Sequence, residues 1–392
     1  MMAIKLFTRS FLMIMFINFL LHLSFSMITP SLPIYFDNVG IGSAMAGFCV
    51  AAFTIGSIFV RPIAGGIIDH FSRRKIFFIS TLLLCPILFG YSLSISIIFL
   101  LLLCIIHGFD WGFVSTSTNT LAADTIPRHI MGQGIAIFST SMSFAIAIAP
   151  SLALILMDRL TFPGMMRVNI FIIISALFVA LFFPFHTYSH HTESSIKPYR
   201  FQKSSIFERS ALLPAIIVCC VAMTCTAVIT YVPIYALSLN FEASGIFFII
   251  YAIGLIIVRL FIGSVVDHFG ATIAILPSFL CLALALFLLS QLNSISMLLL
   301  SGFLYGVGYG GSQSTLQSLA VMNAPSTRYG AANGTFFVGF DFGYGIGALL
   351  AGILSNLIGY SNMYLVLILF LVIATILVLK FHPQKQFSIN EG

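Results

Sequence analysis

The feature that most constrains this chain is a segment that occurs twice, 198 residues apart. The segment GFCVAAFTIGSIFVRPIAGGIIDHF (47–71) aligns without a gap on GIFFIIYAIGLIIVRLFIGSVVDHF (245–269), and ten of the 25 positions are identical. Two apolar segments share Ile and Val by chance, but not an Arg, a Gly four residues later and then Asp-His-Phe. The same offset pairs Pro127 with Pro325. The sequence therefore predicts a tandem duplication that covers most of each half.

The composition places this duplication in a membrane. Sixty per cent of the residues are apolar and 7% are charged, whereas soluble domains carry roughly 25% charged residues. A membrane span needs about 20 apolar residues. Twelve such runs are present: 11–36, 43–66, 76–94, 97–122, 130–157, 167–185, 211–238, 243–264, 271–290, 295–320, 329–356 and 361–380. We predict an all-α integral membrane protein with twelve transmembrane helices in two pseudo-symmetric six-helix bundles, an arrangement typical of two-halved transporters.

The predicted domains follow from the one long polar stretch. Residues 1–185 form the N-terminal bundle, 186–210 the linker and 211–392 the C-terminal bundle. Three linker histidines, His186, His190 and His191, are candidate metal ligands, although a solvated linker explains them more simply.

The distribution of Lys and Arg predicts the orientation. With a cytoplasmic N-terminus, only Arg159 and Arg167 fall outside. Fifteen basic residues fall inside: Lys5, Arg9, Arg61, Arg73, Arg74, Lys75, Arg128, Lys197, Arg200, Lys203, Arg209, Arg259, Arg328, Lys380 and Lys385. Both termini are therefore predicted to be cytoplasmic, and the net charge of +6 reflects topology and not nucleic-acid binding. We expect a bacterial inner-membrane protein, and an N-terminal apolar run too long for a signal peptide.

The glycines of span 10 fit helix packing better than nucleotide binding. The run GVGYGG (306–311) matches GxGxxG, but no strand precedes it, and the chain contains no GKS or GKT. The glycines of spans 10 and 11 recur every fourth residue, which lets membrane helices approach closely; they are Gly302, Gly306 and Gly310, then Gly339, Gly343 and Gly347. An ATP-driven pump is excluded, and no HExxH or CxxC motif supports an enzyme.

The segment GGIIDHFSRRK (65–75) resembles the GxxxDRxGRR signature of the major facilitator superfamily. The second copy keeps Gly263 and Asp267. The TPSLPIY ending of span 1 and the TYVPIYALSL ending of span 7 resemble bacterial drug:proton antiporters and related efflux carriers within that superfamily. The Arg that those antiporters carry in span 4 is replaced here by Cys104.

The resemblance implies a gating latch at the inner ends of the spans. Asp69 is expected at the positive N-terminus of span 11, and Asp267 at that of span 5. Arg73 and Asp124 would complete a chain of charges with Asp69. The predicted latch comprises Gly65, Asp69, Arg73, Arg74, Asp124, Gly263 and Asp267.

Ionisable residues inside spans are expensive and are functional candidates by default. Asp110 and His107 lie in span 4, Asp341 in span 11 and His22 in span 1. Because His107 and Asp110 are three residues apart, they are expected on one helix face, where the histidine can tune the carboxyl group. We predict that these four residues handle protons; the alternative is a buried pair that ties helices together.

Two matched polar stripes predict a substrate cavity. Span 10 carries Tyr305, Tyr309, Gln313 and Gln317, and the 198-residue offset aligns them with His107, Trp111, Ser115 and Asn119 of span 4. The family arrangement implies that spans 1, 4, 7 and 10 line the path, which adds Asn18, Tyr35, Thr230, Tyr231 and Tyr235. Acids, histidines and rings with no Lys or Arg near the midplane favour cations or neutral amphiphiles over multiply anionic cargo.

We therefore predict a secondary transporter that exports a small amphiphilic or cationic compound in exchange for protons by alternating access. Export of a metallophore or siderophore, and proton-coupled uptake of a sugar or other nutrient, are the alternatives. The expected partners are a small-molecule substrate, protons and the lipid bilayer. No cofactor and no nucleic acid are expected, and the protein is predicted to be monomeric.

Overall fold

The computed structural model describes residues 6–38, 45–93, 96–185, 207–241 and 244–381. Every regular element within these ranges is an α-helix or a 3-10 helix, because a chain in lipid must satisfy its backbone hydrogen bonds within each segment. The helices in chain order are α1 (Arg9–Asn38), α2 (Met45–His70), α3 (Arg73–Leu93), α4 (Ile97–Thr125), α5 and α6 (together Met131–Leu181), α7 (Arg209–Ser238), α8 (Ser244–Phe269), α9 (Ala271–Ser290), α10 (Ile295–Met322), and α11 and α12 (together Tyr329–Phe381).

Two of these elements are each broken into two helices by one residue with a positive φ. Thr161 (φ 61°, ψ 173°) separates α5 (131–160) from α6 (162–181). Gly359 (φ 78°, ψ 166°) separates α11 (329–358) from α12 (360–381). The two breaks are 198 residues apart, the offset of the sequence repeat, so both halves turn at the same place.

The prediction of a twelve-span membrane protein is confirmed. Eleven segments of the described chain are long and apolar enough to cross a bilayer. The last of them, Ser326–Lys380, has 55 residues, about 80 Å of helix at 1.5 Å per residue, which is far more than one crossing needs. Since Gly359 breaks it, it contributes two spans.

The helix starts repeat as well. Ser96 caps α4, accepting a hydrogen bond from the Phe99 amide at 3.2 Å, and Ser294 caps α10, accepting from the Met297 amide at 3.3 Å. Each hydroxyl satisfies one of the amides that have no partner within the helix. The caps are again 198 residues apart, so the duplication extends to local backbone chemistry.

The chain divides into two compact units. The first comprises Met1–Ile126, Ser141–Glu208 and Pro325–Thr335; the second comprises Pro127–Thr140, Arg209–Ala324 and Phe336–Gly392. Each unit therefore consists mainly of one predicted bundle plus a short segment from the other half of the sequence. Residues 186–206, most of the predicted linker with its three histidines, lie outside the described residues.

Glycines set the helix spacing within the second unit. A Cβ at Gly306 of α10 would clash with the backbone carbonyl of Tyr251 in α8, and one at Gly343 of α11 with that of Cys219 in α7. Lipid provides no hydrophobic drive for helix association, so close backbone packing supplies much of the attraction. The packing role predicted for these glycines is confirmed.

Candidate functional site

The first cluster of predicted site residues surrounds Asp69 at the C-terminal end of α2. The Asp69 carboxylate accepts hydrogen bonds from the Gly330 amide at 2.8 Å and the Ala331 amide at 2.7 Å. These are among the first amides of α11, where the helix dipole also favours a negative charge. We call this contact the first latch. The structure thus places Asp69 at the helix terminus that the sequence indicated.

Arg73 links the first latch to α4. Its guanidinium lies 3.5 Å from Asp69 Oδ1, donates a hydrogen bond to Asp124 Oδ2, and donates a longer one, 3.4 Å, to the Ser326 carbonyl. The side chains of Asp69, Arg73 and Asp124 are 3%, 11% and 9% exposed. Low exposure strengthens these charge-assisted contacts, because water competes poorly for them.

Arg74 differs from the other predicted latch residues. Its guanidinium lies 5.8 Å from the ring centres of both Phe78 and Phe185, and the side chain is exposed. The contact is a cation–π interaction. Placing Arg74 in the latch was therefore wrong; a neighbouring side chain on a helix turns away from the face that carries Arg73.

The second latch repeats the first at the equivalent position. Asp267 of α8 accepts hydrogen bonds from the Gly132 amide at 2.9 Å and the Gln133 amide at 2.8 Å, at the start of α5. The residue 198 positions after Arg73 is Ala271. The second latch therefore lacks an arginine in that place and uses the helix terminus itself.

Gly65 and Gly263 permit the helix contacts beside the two latches. A Cβ at Gly65 would lie 2.6 Å from the Gly330 carbonyl oxygen, and one at Gly263 would lie 2.6 Å from that of Gly132. Real Cβ atoms do not approach backbone oxygens so closely. Both glycines are thus required where the sequence placed them.

The sequence analysis misplaced one pair of cations. Arg61 is 4% exposed and donates to Ser115 Oγ at 3.0 Å; Arg259 is 1% exposed and donates to Gln313 Oε1 at 2.7 Å and to the Ser139 carbonyl. Ser115 and Gln313 are themselves related by the repeat. The two arginines are therefore equivalent cations, each joining neighbouring helices of its own unit.

This placement corrects two predictions. Arg61 and Arg259 lie nine and ten residues before the ends of α2 and α8, about 14 Å along the helix axis, and not in connecting loops. Thirteen basic residues remain on the predicted inner side, so the orientation argument keeps its direction. The statement that no Lys or Arg lies deep in the spans was wrong. Both residues were visible as identities of the repeat inside predicted spans.

Asp110 lies in the middle of α4 and is 5% exposed. It makes no hydrogen bond or ion pair with any residue that the structure describes, and its Oδ2 atom is fully buried. It borders a cavity of about 540 Å³ between α2, α3 and α4. The predicted carboxyl group is therefore buried and accessible to a cavity, but that cavity is almost entirely apolar.

His107 does not pair with Asp110. The imidazole, 3% exposed, lies among aromatic rings, with centroid distances of 5.2 Å to Phe53, 5.8 Å to Tyr91 and 6.1 Å to Phe25. The predicted tuning of the carboxyl group by this histidine is not supported by a contact. Residues three apart on a helix differ by 60° in direction, which here separates two environments.

A polar and aromatic cluster connects α1 with α4. His22 Nδ1 lies 3.0 Å from the Asn18 carbonyl, and Asn18 Nδ2 donates to Ser141 Oγ at 2.8 Å. The His22 ring meets Trp111 edge-on at 5.2 Å, and Phe25 stacks on Trp111 at 4.4 Å. Four predicted residues of the first half, with His107 beside them, thus lie in one region of the first unit.

The remaining predicted cavity residues are mostly buried against neighbouring helices. Tyr305 shares a 2.8 Å hydrogen bond with Thr224, and Asn119 donates to the Ser115 carbonyl at 2.8 Å. Tyr309 stacks on Tyr305, and Gln317 is 3% exposed. The stripes of α4 and α10 therefore make the interhelical contacts that were the alternative explanation for single residues.

More open positions lie elsewhere. Thr230 is exposed, and Tyr231, Tyr35 and Asp341 are half-buried. Tyr231 and Tyr235 contact Tyr360 at 6.2 and 5.4 Å, and Tyr35 stacks on Phe162. Within the described residues, no group of three or more His, Cys, Asp or Glu side chains is arranged to hold a metal ion.

Comparisons with known proteins agree with this geometry. The chain is 23% identical over 347 residues to an uncharacterised MFS-type transporter of Methanocaldococcus jannaschii, covering 86% of this chain and 89% of that protein. It is 23% identical over 349 residues to the staphylopine export protein of Staphylococcus aureus, covering 86% of each. The S. aureus quinolone resistance protein NorA matches at 25% identity over 134 residues, 34% of each chain.

Solved structures show the same fold. The human organic anion transporter MFSD10 superposes with a TM-score of 0.77 at 16% identity, covering 94% of this chain and 99% of that one. The Escherichia coli fucose:proton symporter FucP gives 0.75 at 17% identity, with 94% and 98% covered. The family model of the Major Facilitator Superfamily matches residues 14–258 and 215–390. With this match over both halves, the chain belongs to the major facilitator superfamily and is a multi-pass membrane transporter, not an enzyme.

Proposed function

We propose that this transporter exports a small amphiphilic or cationic compound in exchange for protons, moving between states in which the cargo site faces opposite sides of the membrane. The observation that carries the proposal is Asp110, a buried carboxyl group in mid-membrane with no partner among the described residues. A group in that position favours its neutral, protonated form until a cation or water replaces the proton.

Asp341 is the second coupling group in this proposal. It lies half-buried in α11, a helix whose first amides hold Asp69. Each carboxyl group would release a proton as cargo binds and regain one from the outside. His22 and His107 are the proposed auxiliary proton carriers, since imidazole exchanges protons near neutral pH.

The two latches supply the proposed gate. Breaking the contact between Asp69 and α11, and the equivalent contact between Asp267 and α5, would release the inner ends of α2 and α8. We place these ends, and both chain termini, on the cytoplasmic side of a bacterial inner membrane. The positive-inside distribution of Lys and Arg supports this orientation. The protein is proposed to act as a monomer that uses the proton gradient and no cofactor.

Export is favoured over uptake by the relatives. The staphylopine export protein aligns along 86% of this chain, and NorA, a quinolone resistance protein, aligns along a third of it. FucP, a fucose:proton symporter, is similar in fold alone at 17% identity. A sugar symporter therefore has the weaker support.

Everted membrane vesicles test the proposal. An imposed pH gradient should drive uptake of a lipophilic cation into vesicles with the wild-type protein, and Asp110→Asn and Asp341→Asn should each reduce it by about tenfold or more. Asp158→Asn, an exposed carboxylate of α5, is the matched control and should behave as wild type. Normal proton-driven transport in both test variants would refute the assigned roles.

A second candidate cargo is favoured by Arg61 and Arg259. Two buried guanidinium groups at equivalent positions suit a cargo that carries carboxylates, such as a metallophore. Proton release from purified protein, compared for lipophilic cations, sugars and metal chelates, separates the candidates. Release on adding a chelate and not a cation would select the metallophore.

A further inference from the structure

The cavity beside Asp110 lies wholly within the first unit. It has a volume of about 540 Å³, within the range of small-molecule sites. Its walls are Ile67 of α2; Ile76, Ile79, Ser80, Leu83, Pro86 and Ile87 of α3; and Leu103, Ile106, Phe109, Asp110 and Phe113 of α4. We call this space the α3–α4 cleft.

Asp110 is the one ionisable residue in the wall of the α3–α4 cleft. The side chain is 95% buried by the fraction of its surface that is covered, and Oδ2 has no hydrogen-bond partner in the described part of the chain. The other polar wall residue, Ser80, donates instead to the carbonyls of Ile76 and Phe77 in its own helix. A buried polar group without a partner is costly, so its retention requires a reason.

The cleft opens toward lipid near the centre of the bilayer. Asp110 is 13 residues from the start of α4 and 15 from its end, about 20 Å from either terminus. Four large apolar side chains around it remain substantially exposed: Ile79 60%, Leu83 50%, Ile106 52% and Phe109 46%. On a membrane-spanning helix such side chains contact acyl chains, and a lipid headgroup does not reach this depth.

The second half of the chain shows what this position looks like without a cleft. The residue 198 positions after Asp110 is Gly308, where a Cβ would lie 2.6 Å from the Ser278 carbonyl oxygen and 2.7 Å from Leu282 Cγ. Ser278 is the repeat equivalent of Ser80. Helix α9 thus packs directly on α10, whereas in the first half a carboxymethyl group occupies that space and α3 stands away from α4.

We propose that the α3–α4 cleft is a lateral binding site that takes an uncharged, lipid-soluble amine from the bilayer and holds it as an ion pair with Asp110. The protonated carboxyl group transfers its proton to the amine nitrogen, and the resulting ammonium donates a hydrogen bond to the carboxylate. The apolar walls surround the hydrocarbon part of the amine. This site rests on the proposed function in one respect, since the same carboxyl group is assigned there to proton exchange.

The chemistry selects among ligands. A permanently charged quaternary ammonium cannot accept the proton and must cross hydrocarbon as an ion. A neutral alcohol of equal length fills the cleft but forms no ion pair. An alkyl carboxylate meets a second carboxyl group. The amine alone satisfies both the depth and the charge of the site.

Binding in nanodiscs of zwitterionic lipid tests the site directly. The probe is N,N-dimethyldodecylamine; dodecyltrimethylammonium and 1-dodecanol are comparison ligands. Wild-type protein should bind the amine saturably at one per chain, and Asp110→Asn should weaken binding by about tenfold or more. Asp110→Gly, which recreates the residue of the second half, should abolish it, and Asp341→Asn should leave it unchanged. Equal binding by Asp110→Asn, or equal binding of 1-dodecanol, would overturn the proposal.

A labelling experiment on the unmutated protein keeps the test independent of variant folding. The lipid-soluble reagent dicyclohexylcarbodiimide adds to protonated carboxyl groups, and mass spectrometry locates the adduct. Asp110 should be modified from the bilayer, with protection by the amine and none by 1-dodecanol. Absence of modification, or modification unaffected by the amine, would contradict the site.

The two proposals fail separately. If proton-driven efflux proves independent of Asp110 while amine binding still requires it, the coupling role is wrong and the lateral site stands. If efflux requires Asp110 but the amine neither binds nor protects the residue, the lateral site is wrong and the coupling role stands.

Discussion

Replacement of Asp69 by Asn should release the first latch. The carboxylate accepts amide hydrogen bonds of 2.8 and 2.7 Å from the start of α11, and its side chain is 3% exposed. Asn keeps one acceptor oxygen and turns its NH₂ group toward the other amide. One charge-assisted bond is lost and the other becomes a neutral bond, so the latched state should lose about 2 to 4 kcal/mol.

The corresponding population shift is large. A change of 2 to 4 kcal/mol alters an equilibrium constant by about 30- to 1,000-fold. Any latched state that is favoured by less than this amount will become a minority. Arg73 adds to the effect, since it then faces Asp124 alone and loses one of its two carboxylate partners.

Electron–electron resonance distances between spin labels provide the assay. Labels at Ser72→Cys and Thr327→Cys, both exposed positions, report the separation of the end of α2 from the start of α11 once the seven native cysteines are replaced. Asp69→Asn should add a longer-distance population in nanodiscs. Asp158→Asn is the matched control and should leave the distribution unchanged. Thermal unfolding checks that the variants are folded. If the Asp69→Asn distribution superimposes on that of the parent, the reasoning about the latch is refuted.

Three further substitutions probe packing, backbone and buried charge. Gly65→Ala should open the same spin-label distance, because its Cβ would clash with the α11 backbone, whereas Gly245→Ala, with no atom within 4 Å of the added Cβ, should not. Thr161→Gly should raise the unfolding temperature and Gly359→Ala should lower it, each by about 1 kcal/mol, since only glycine adopts their positive φ without strain; equal responses would contradict this. Arg259→Met should destabilise the protein by about 3 kcal/mol in thermal unfolding by leaving buried acceptors without a donor, and an unchanged unfolding temperature would count against the contact.

The repeat made most of the fold predictable. It fixed which segments had to adopt the same structure, and the paired breaks at Thr161 and Gly359 and the paired caps at Ser96 and Ser294 follow its offset. The position of Asp69 was also accessible, since an acidic residue at the end of one helix complements the amides at the start of another.

The surroundings of single side chains were less accessible to sequence reasoning. The helices are apolar on nearly all faces, so periodicity does not tell which face of α4 meets another helix and which meets lipid. His107 and Asp110 therefore could not be separated by spacing alone. Arg61 and Arg259 were assigned to loops because basic residues are rare inside spans, a rule that yields when hydroxyl, amide and carbonyl oxygens surround the guanidinium.

The two halves share a scaffold but not its charges. The repeat equivalents of Arg73, His107, Asp110 and Asp124 are Ala271, Tyr305, Gly308 and Met322. Only the buried arginines and the latch aspartates are kept in both copies, which identifies them with the common mechanics of the two bundles. The ionisable groups present in one copy alone are the ones free to serve this transporter's own cargo and protons. Because Gly308 still packs tightly on α9, the acquisition of a carboxyl group at Asp110 carries a structural cost that the second half avoids. A role in binding or proton exchange accounts for that cost, whereas a role in packing does not.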